Sequence, residues 1–131
     1  MASIFTKIIE REIPAHIVAE DDNYLAFLDI NPLTEGHTLV IPKKEVDYIF
    51  DLDNDTLAGL HLFAKKVAAG IESVIECERI GVTVMGLEVP HAHVHLIPMQ
   101  TMDDMNFANM KLSPSKEEMA ETAKKISKAI K

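Results

Sequence analysis

Cysteine is nearly missing from this 131-residue chain: Cys77 stands alone. It has no partner for an internal disulfide, and a zinc site built from several thiolates is excluded. Tryptophan is absent, and two tyrosines and five phenylalanines are the remaining large aromatics. A surface on which successive bases stack is therefore poorly provided for. Positive charge is also short, with 13 Lys and Arg against 21 Asp and Glu and a net charge of −8. A general nucleic-acid binder needs a cationic excess to displace counterions, so that class is disfavoured. A small anionic ligand in a local pocket remains open. Apolar runs are only a few residues long, so no segment is expected to span a bilayer. The opening MASIFTKIIERE carries acids where a secretory signal has its apolar stretch, and the chain reads as cytoplasmic.

What is present suits one globular domain with a real core, since 47% of the residues are apolar. Residues 3–10 set Ile4, Phe5, Ile8 and Ile9 along one side of a short helix. Residues 15–20 and 23–30 read as two strands joined at Asp21-Asp22, and 37–41 as a third stopped by Pro42. A long helix is expected to start near Asp53 and end before Arg79, with Leu57, Leu60, Ala64, Val67, Ile71 and Val74 as its apolar stripe. Residues 80–85 and 88–97 read as two further strands reversing at Gly86-Leu87. Residues 101–113 show no period. A last helix opens with a capping box, Ser115 and Glu118, and carries Met119, Ala123, Ile126 and Ile130 inward. This order implies an α+β fold, a mainly antiparallel five-stranded sheet covered by helices. Residues 1–112 form the main unit and 113–131 a terminal helix packed on or extending it.

Three of the six histidines fall at 91, 93 and 95. In a strand all three project from one face, while Ala92, Val94 and Leu96 enter the core. A row of imidazoles is costly to bury without partners, which points to chemistry. Two chemistries compete. A metal could be held by His91 and His93, but the outer two rings lie about 13 Å apart at ~3.3 Å per residue. One zinc ion, with bonds of ~2.1 Å, does not take all three. Alternatively the middle imidazole, uncharged in useful fraction at neutral pH, is a nucleophile flanked by two rings that orient it and bind an anionic oxygen.

His91-Ala92-His93-Val94-His95-Leu96-Ile97 resembles the H-φ-H-φ-H-φ-φ signature of the histidine triad proteins, φ being apolar. SIFTKIIEREIP, EDDNYLAFLDINP and GHTLVIPKKEV are similar to the N-terminal blocks of the branch containing the purine nucleoside phosphoramidases. The resemblance covers about residues 3–100. It implies a nucleotide-binding hydrolase or transferase acting at the α-phosphate through a nucleotidyl-histidine intermediate. It also implies a homodimer and no cofactor. By position, His93 matches the nucleophile, His91 the residue that orients it, and His95 the histidine near the leaving group and phosphate oxygens. His37 matches a supporting histidine and Asp29 the carboxylate that accepts from ribose hydroxyls. Ile4, Phe5, Ile8, Phe27, Leu28, Ile30 and Leu39 match the apolar slot around the base; plain core packing accounts for such residues equally well.

The sequence departs from that pattern before the triad. Gly86-Leu87-Glu88-Val89 stands where many members have Gly-Gln-Ser/Thr-Val, and the loop before it is expected to be a tight reversal. Glu88 and Val89 then face the nucleotide, with a negative charge where a hydrogen-bond donor is usual. Ser3 and Thr6 occupy the positions at which some relatives carry a zinc-holding C-x-x-C pair, so no metal is expected there. His16, His61 and Cys77 give no ligand or nucleophile signal. Lys43-Lys44 reads as a solvated turn, and Asp51, Asp53 and Asp55 as a helix cap. The long helix and the strand at 80–85 are expected to supply a two-fold interface, with Ala58, Gly59, Ala68, Ala69 and Gly70 allowing close approach of another backbone. The phosphoramidase reading leads; a nucleotide-binding regulator of low turnover and a metal-binding protein are the alternatives.

Overall fold

The computed structural model describes residues 2–130. Helix α1 (Ile4–Ile9) leads into strands β1 (Ile17–Glu20), β2 (Tyr24–Leu28) and β3 (Thr38–Pro42). Helix α2 (Asn54–Val74), strands β4 (Arg79–Thr83) and β5 (Val94–Met99), and helix α3 (Lys116–Ala129) follow. Short 3₁₀ turns lie at Ile49–Asp51 and Met102–Met105. The five strands form one antiparallel sheet, as the element order implied, and the structure sets their order as β1-β2-β3-β5-β4.

Local chemistry sets the helix starts. Asp53 caps α2, accepting from the Thr56 amide at 3.1 Å and its hydroxyl at 2.6 Å. Ser115 and Glu118 form the expected capping box at α3. The pleat then sorts the sheet into two faces. Tyr24, Ala26, Leu28, Val40, Val94 and Leu96 pack with α2 and α3 in the larger core. Leu25, Phe27, Leu39 and Ile41 turn the other way and meet Phe5 and Ile8 of α1. Met119, Ala123 and Ile126 of α3 belong to the larger core. No described helix is long and apolar enough to cross a membrane.

Three expectations need correction. The strand expected over 88–97 begins only at Val94, and residues 84–93 are a loop rather than a tight reversal. The ladder with β3 stops at Val40 and Val94 because the chain peels away. Beyond that point the Ala92 amide donates to the Val46 carbonyl at 2.7 Å, and the His91 side chain occupies the Pro42 carbonyl. Second, the glycines of α2 face their own chain. A Cβ on Gly59 would collide with the Tyr24 hydroxyl, and one on Gly70 would lie 2.5 Å from Ile130 Cγ1. Their packing reason is therefore internal. Third, Ile4 is 49% exposed, so α1 buries only Phe5 and Ile8 fully.

Candidate active site

His91, His93 and His95 are buried, but only His95 lies in a strand. His91 is held by both ring nitrogens. Its Nε2 lies 2.8 Å from the Pro42 carbonyl, which only accepts, so Nε2 carries the proton. Nδ1 then accepts from the Ser3 hydroxyl at 2.8 Å. Ser3 also caps α1, accepting from the Thr6 amide at 3.0 Å, so one hydroxyl ties the helix start to the first histidine. Burial pushes the His91 pKa down, which keeps the ring neutral. Both ring nitrogens of this histidine are thus engaged within the fold.

The same reasoning fixes the second ring. His93 Nδ1 donates to the His91 carbonyl at 2.7 Å. In the neutral ring the lone pair is thus on Nε2, for which no partner occurs among the described residues. The orientation comes from a backbone carbonyl that lies in a loop, outside the shortened strand. Phe5 packs edge-on against His93, with centroids 5.0 Å apart.

A relay sets the third ring. The Leu33 amide donates to His37 Nδ1 at 3.1 Å, so the neutral His37 carries its proton on Nε2. That Nε2–H donates to His95 Nδ1 at 3.0 Å. His95 is left with an Nε2–H donor beside His93, the two ring centroids 5.0 Å apart. Burial, reinforced by His95 and Lys111, takes the His37 pKa down to about 3. Burial and the neighbouring His93 take His95 to about 4. Both rings are therefore neutral at pH 7, and the site sets a free imidazole lone pair next to a fixed N–H donor.

Asp29 follows β2 and its Oδ2 lies 3.6 Å from His37 Nε2, beyond hydrogen-bonding reach. Its other oxygen accepts from the Asn31 amide at 2.8 Å. Desolvation raises its pKa against the opposing effects of that amide, His93 and Lys111. Asp29 and His37 border a cleft shared with Leu28, Gly36, Leu112 and Met119.

The apolar residues assigned to the base divide. Phe5, Ile8, Phe27 and Leu39 lie together on the histidine face of the sheet, with Val89 packed against them. Leu39 is directly opposite His95 in the ladder. Leu28 does not join them: the pleat turns it into the larger core on the opposite face. Ile4 and Ile30 are 49% and 69% exposed, and Glu88 is exposed on the 84–93 loop. Two residues of the site were not found from sequence. Phe107 packs edge-on against His95 at 5.0 Å and His37 at 6.1 Å, and the charge of Lys111 acts on both Asp29 and His37. They lie in a segment without periodicity, and no local signal marks them.

The model of the HIT domain family matches residues 10–102. The chain belongs to the HIT family. Among HIT proteins, an uncharacterized HIT-like protein of Borreliella burgdorferi is 37% identical over 135 residues, 97% of each chain. A hypothetical histidine triad nucleotide-binding protein from Sulfolobus tokodaii has a crystal structure that superposes with a TM-score of 0.83 at 33% identity. The match covers 97% of this chain and 91% of that one. A Zn-bound histidine triad family protein from Mycobacterium smegmatis superposes at 0.85 with 27% identity, covering 99% and 94%.

Among the described residues, the donors around Ser3 and Thr6 of this HIT chain do not fit a zinc ion. Ser3 and Thr6 offer neutral hydroxyls already engaged with His91 and Glu45, and both nitrogens of His91 are occupied. Among the described residues, Asp29, His37 and His95 bring three ligand atoms within 4.8 Å. There the His37 atom is Nε2, which keeps its proton as long as the Leu33 amide faces Nδ1.

Proposed function

We propose that this HIT protein hydrolyses purine nucleoside phosphoramidates or related adenylylated compounds at the α-phosphate. The observation that carries the reading is His93: its Nδ1–H is fixed on the His91 carbonyl, so Nε2 holds a free lone pair. That nitrogen attacks the α-phosphorus, a P–Nε2 bond forms, and the bond from phosphorus to the leaving group breaks. Positive charge develops on His93, and the His91 carbonyl stabilises it through Nδ1–H. His95 Nε2–H donates to a phosphate oxygen or to the departing atom. His95 is neutral, so an amine leaving group takes its proton from water. Water then attacks phosphorus, the P–Nε2 bond breaks, and the nucleoside monophosphate leaves. Asp29 accepts from the ribose hydroxyls, and Phe5, Ile8, Phe27, Leu39, Ile4 and Ile30 form the base slot. The hypothetical histidine triad nucleotide-binding protein of Sulfolobus tokodaii, similar over nearly the whole chain, supports the ligand class.

The protein acts in this reading as a cytoplasmic homodimer. Its supporting feature is an apolar groove beside the exposed face of α2. Tyr48, Phe50, Met85 and Leu87 line it, and all four are at least 47% exposed. Edge strand β4 adds Val82 to the same apolar exposure. A second reading, binding with little turnover, is favoured by Glu88, whose charge acts on Asp29 from the loop before the triad.

Steady-state hydrolysis of adenosine 5′-phosphoramidate by wild type and His93→Asn separates these readings. Loss of several orders of magnitude in kcat/KM is expected, with nucleotide binding retained. Near-normal turnover by the variant contradicts the assignment, and a wild type that binds AMP without turnover favours the second reading.

A further inference from the structure

After β5 the chain runs back past His37 and His95, and its course is well tied. Thr101 and Asp104 cap the 3₁₀ turn, and the Asn109 side chain donates to the Asp103 carbonyl at 2.8 Å. The Leu112 amide donates to the Pro32 carbonyl at 2.9 Å, joining this segment to the loop that carries Asp29 and His37. Phe107 faces the His37–His95 pair. Its carbonyl accepts from Lys111 Nζ at 2.5 Å, and the Asn109 carbonyl accepts from the same ammonium at 3.1 Å. The ammonium lies 6.0 Å from the Phe107 ring centroid.

Lys111 is half-buried, and among the described residues it has no carboxylate within 4.0 Å. An ammonium has three N–H donors, and two go to these carbonyls. One is left. In a chain of net charge −8, an ammonium held by carbonyls rather than by an acid is placed to receive an anion from outside. The buried His37, His91 and His95 are held neutral and bring no positive charge of their own.

We propose that Lys111, seated on the Phe107 and Asn109 carbonyls, binds a second phosphate of the nucleotide, distinct from the one that His93 attacks. This rests on the nucleotide reading of the histidine site and adds a substrate class, nucleotides bearing two phosphate groups. That phosphate comes from either of two places, the β-position or the ribose 3′-oxygen. Lys111 acts electrostatically on Asp29 and His37, the side of the site assigned to the ribose.

Calorimetric titration of wild type and Lys111→Met with adenosine, AMP, ADP and adenosine 3′,5′-bisphosphate tests it. The expected result is that wild type binds ADP or the bisphosphate tighter than AMP by about tenfold, the worth of one charge-assisted hydrogen bond. Lys111→Met abolishes that preference. Which of the two nucleotides shows it identifies the source of the phosphate. An unchanged preference in the variant overturns the proposal, as does an equal loss across all four ligands or a wild type without preference. A wild type that binds neither adenosine nor AMP contradicts the nucleotide reading itself, and this inference with it.

Discussion

Replacing Ser3 by alanine removes one oxygen that does two jobs. Ser3 is 5% exposed, and its hydroxyl accepts from the Thr6 amide at 3.0 Å while donating to His91 Nδ1 at 2.8 Å. Loss of an N-cap costs about 1 kcal/mol. Leaving a buried imidazole acceptor without its donor costs about 1–3 kcal/mol. The two effects act on one residue and sum to about 2–4 kcal/mol. The Thr6 hydroxyl, 3.4 Å from the same nitrogen, places the expected loss toward the lower end, about 2–3 kcal/mol. That is a large share of the ~5–15 kcal/mol total of an ordinary domain. Urea unfolding at pH 7.5 measures it as a lower midpoint with an unchanged slope. Ser3→Thr, which keeps the hydroxyl, should recover most of the loss. A change under about 0.5 kcal/mol for Ser3→Ala, the range of neutral surface substitutions, would refute the claim that this hydroxyl holds His91.

Three further outcomes are expected. Stability should fall as pH drops from about 6.5 toward 4, because unfolding lets His37, His91 and His95 bind protons that the fold refuses. The folded pKa values are depressed, so this stability is fully present above the unfolded value and is lost on acidification. Each group adds up to about 1.4 kcal/mol per pH unit inside its window, and Asp29, with a raised pKa, acts in the opposite sense. Unfolding midpoints that stay flat between pH 6.5 and 4.5 would contradict the buried neutral rings. Asp29→Ala should weaken binding of AMP by about 1.5–3 kcal/mol and that of 2′-deoxy-AMP by less; equal losses assign Asp29 to shaping its loop through the Asn31 amide. Light scattering at micromolar concentration should give twice the 14.6 kDa chain mass. A monomer that still turns over phosphoramidate excludes the groove beside α2 as a required interface.

Local signals carried much of this molecule. The capping box at Ser115, the aspartate cap at Asp53 and the stripe of α2 are short-range features, and the structure places them where periodicity did. The α+β sheet followed from the order of elements. The strand reading of 88–93 failed because alternating histidine and apolar residues mimic a pleat. The actual partners of His91, Ser3 and Pro42, lie far away in sequence. Leu28 was placed with Phe27 by resemblance, although adjacent strand residues point to opposite faces. Gly59 and Gly70 read in sequence as admitting another backbone, whereas they make room for Tyr24 and Ile130 of their own chain. Phe107 and Lys111 reach the histidines only through the turn at 102–105 and the Leu112 to Pro32 hydrogen bond, and no periodicity announces either.

The central claim is that His93 Nε2 becomes bonded to phosphorus. Wild-type protein mixed with adenosine phosphoramidate labelled at the α-phosphorus, then quenched in alkali within the first turnovers, tests it directly. Phosphoimidazoles survive alkali, so peptide mapping should locate the label on the peptide carrying His91–His95, and His93→Asn should abolish it while His95→Asn retains some. Turnover with no labelled protein at any time, or a label that persists in His93→Asn, would contradict the account.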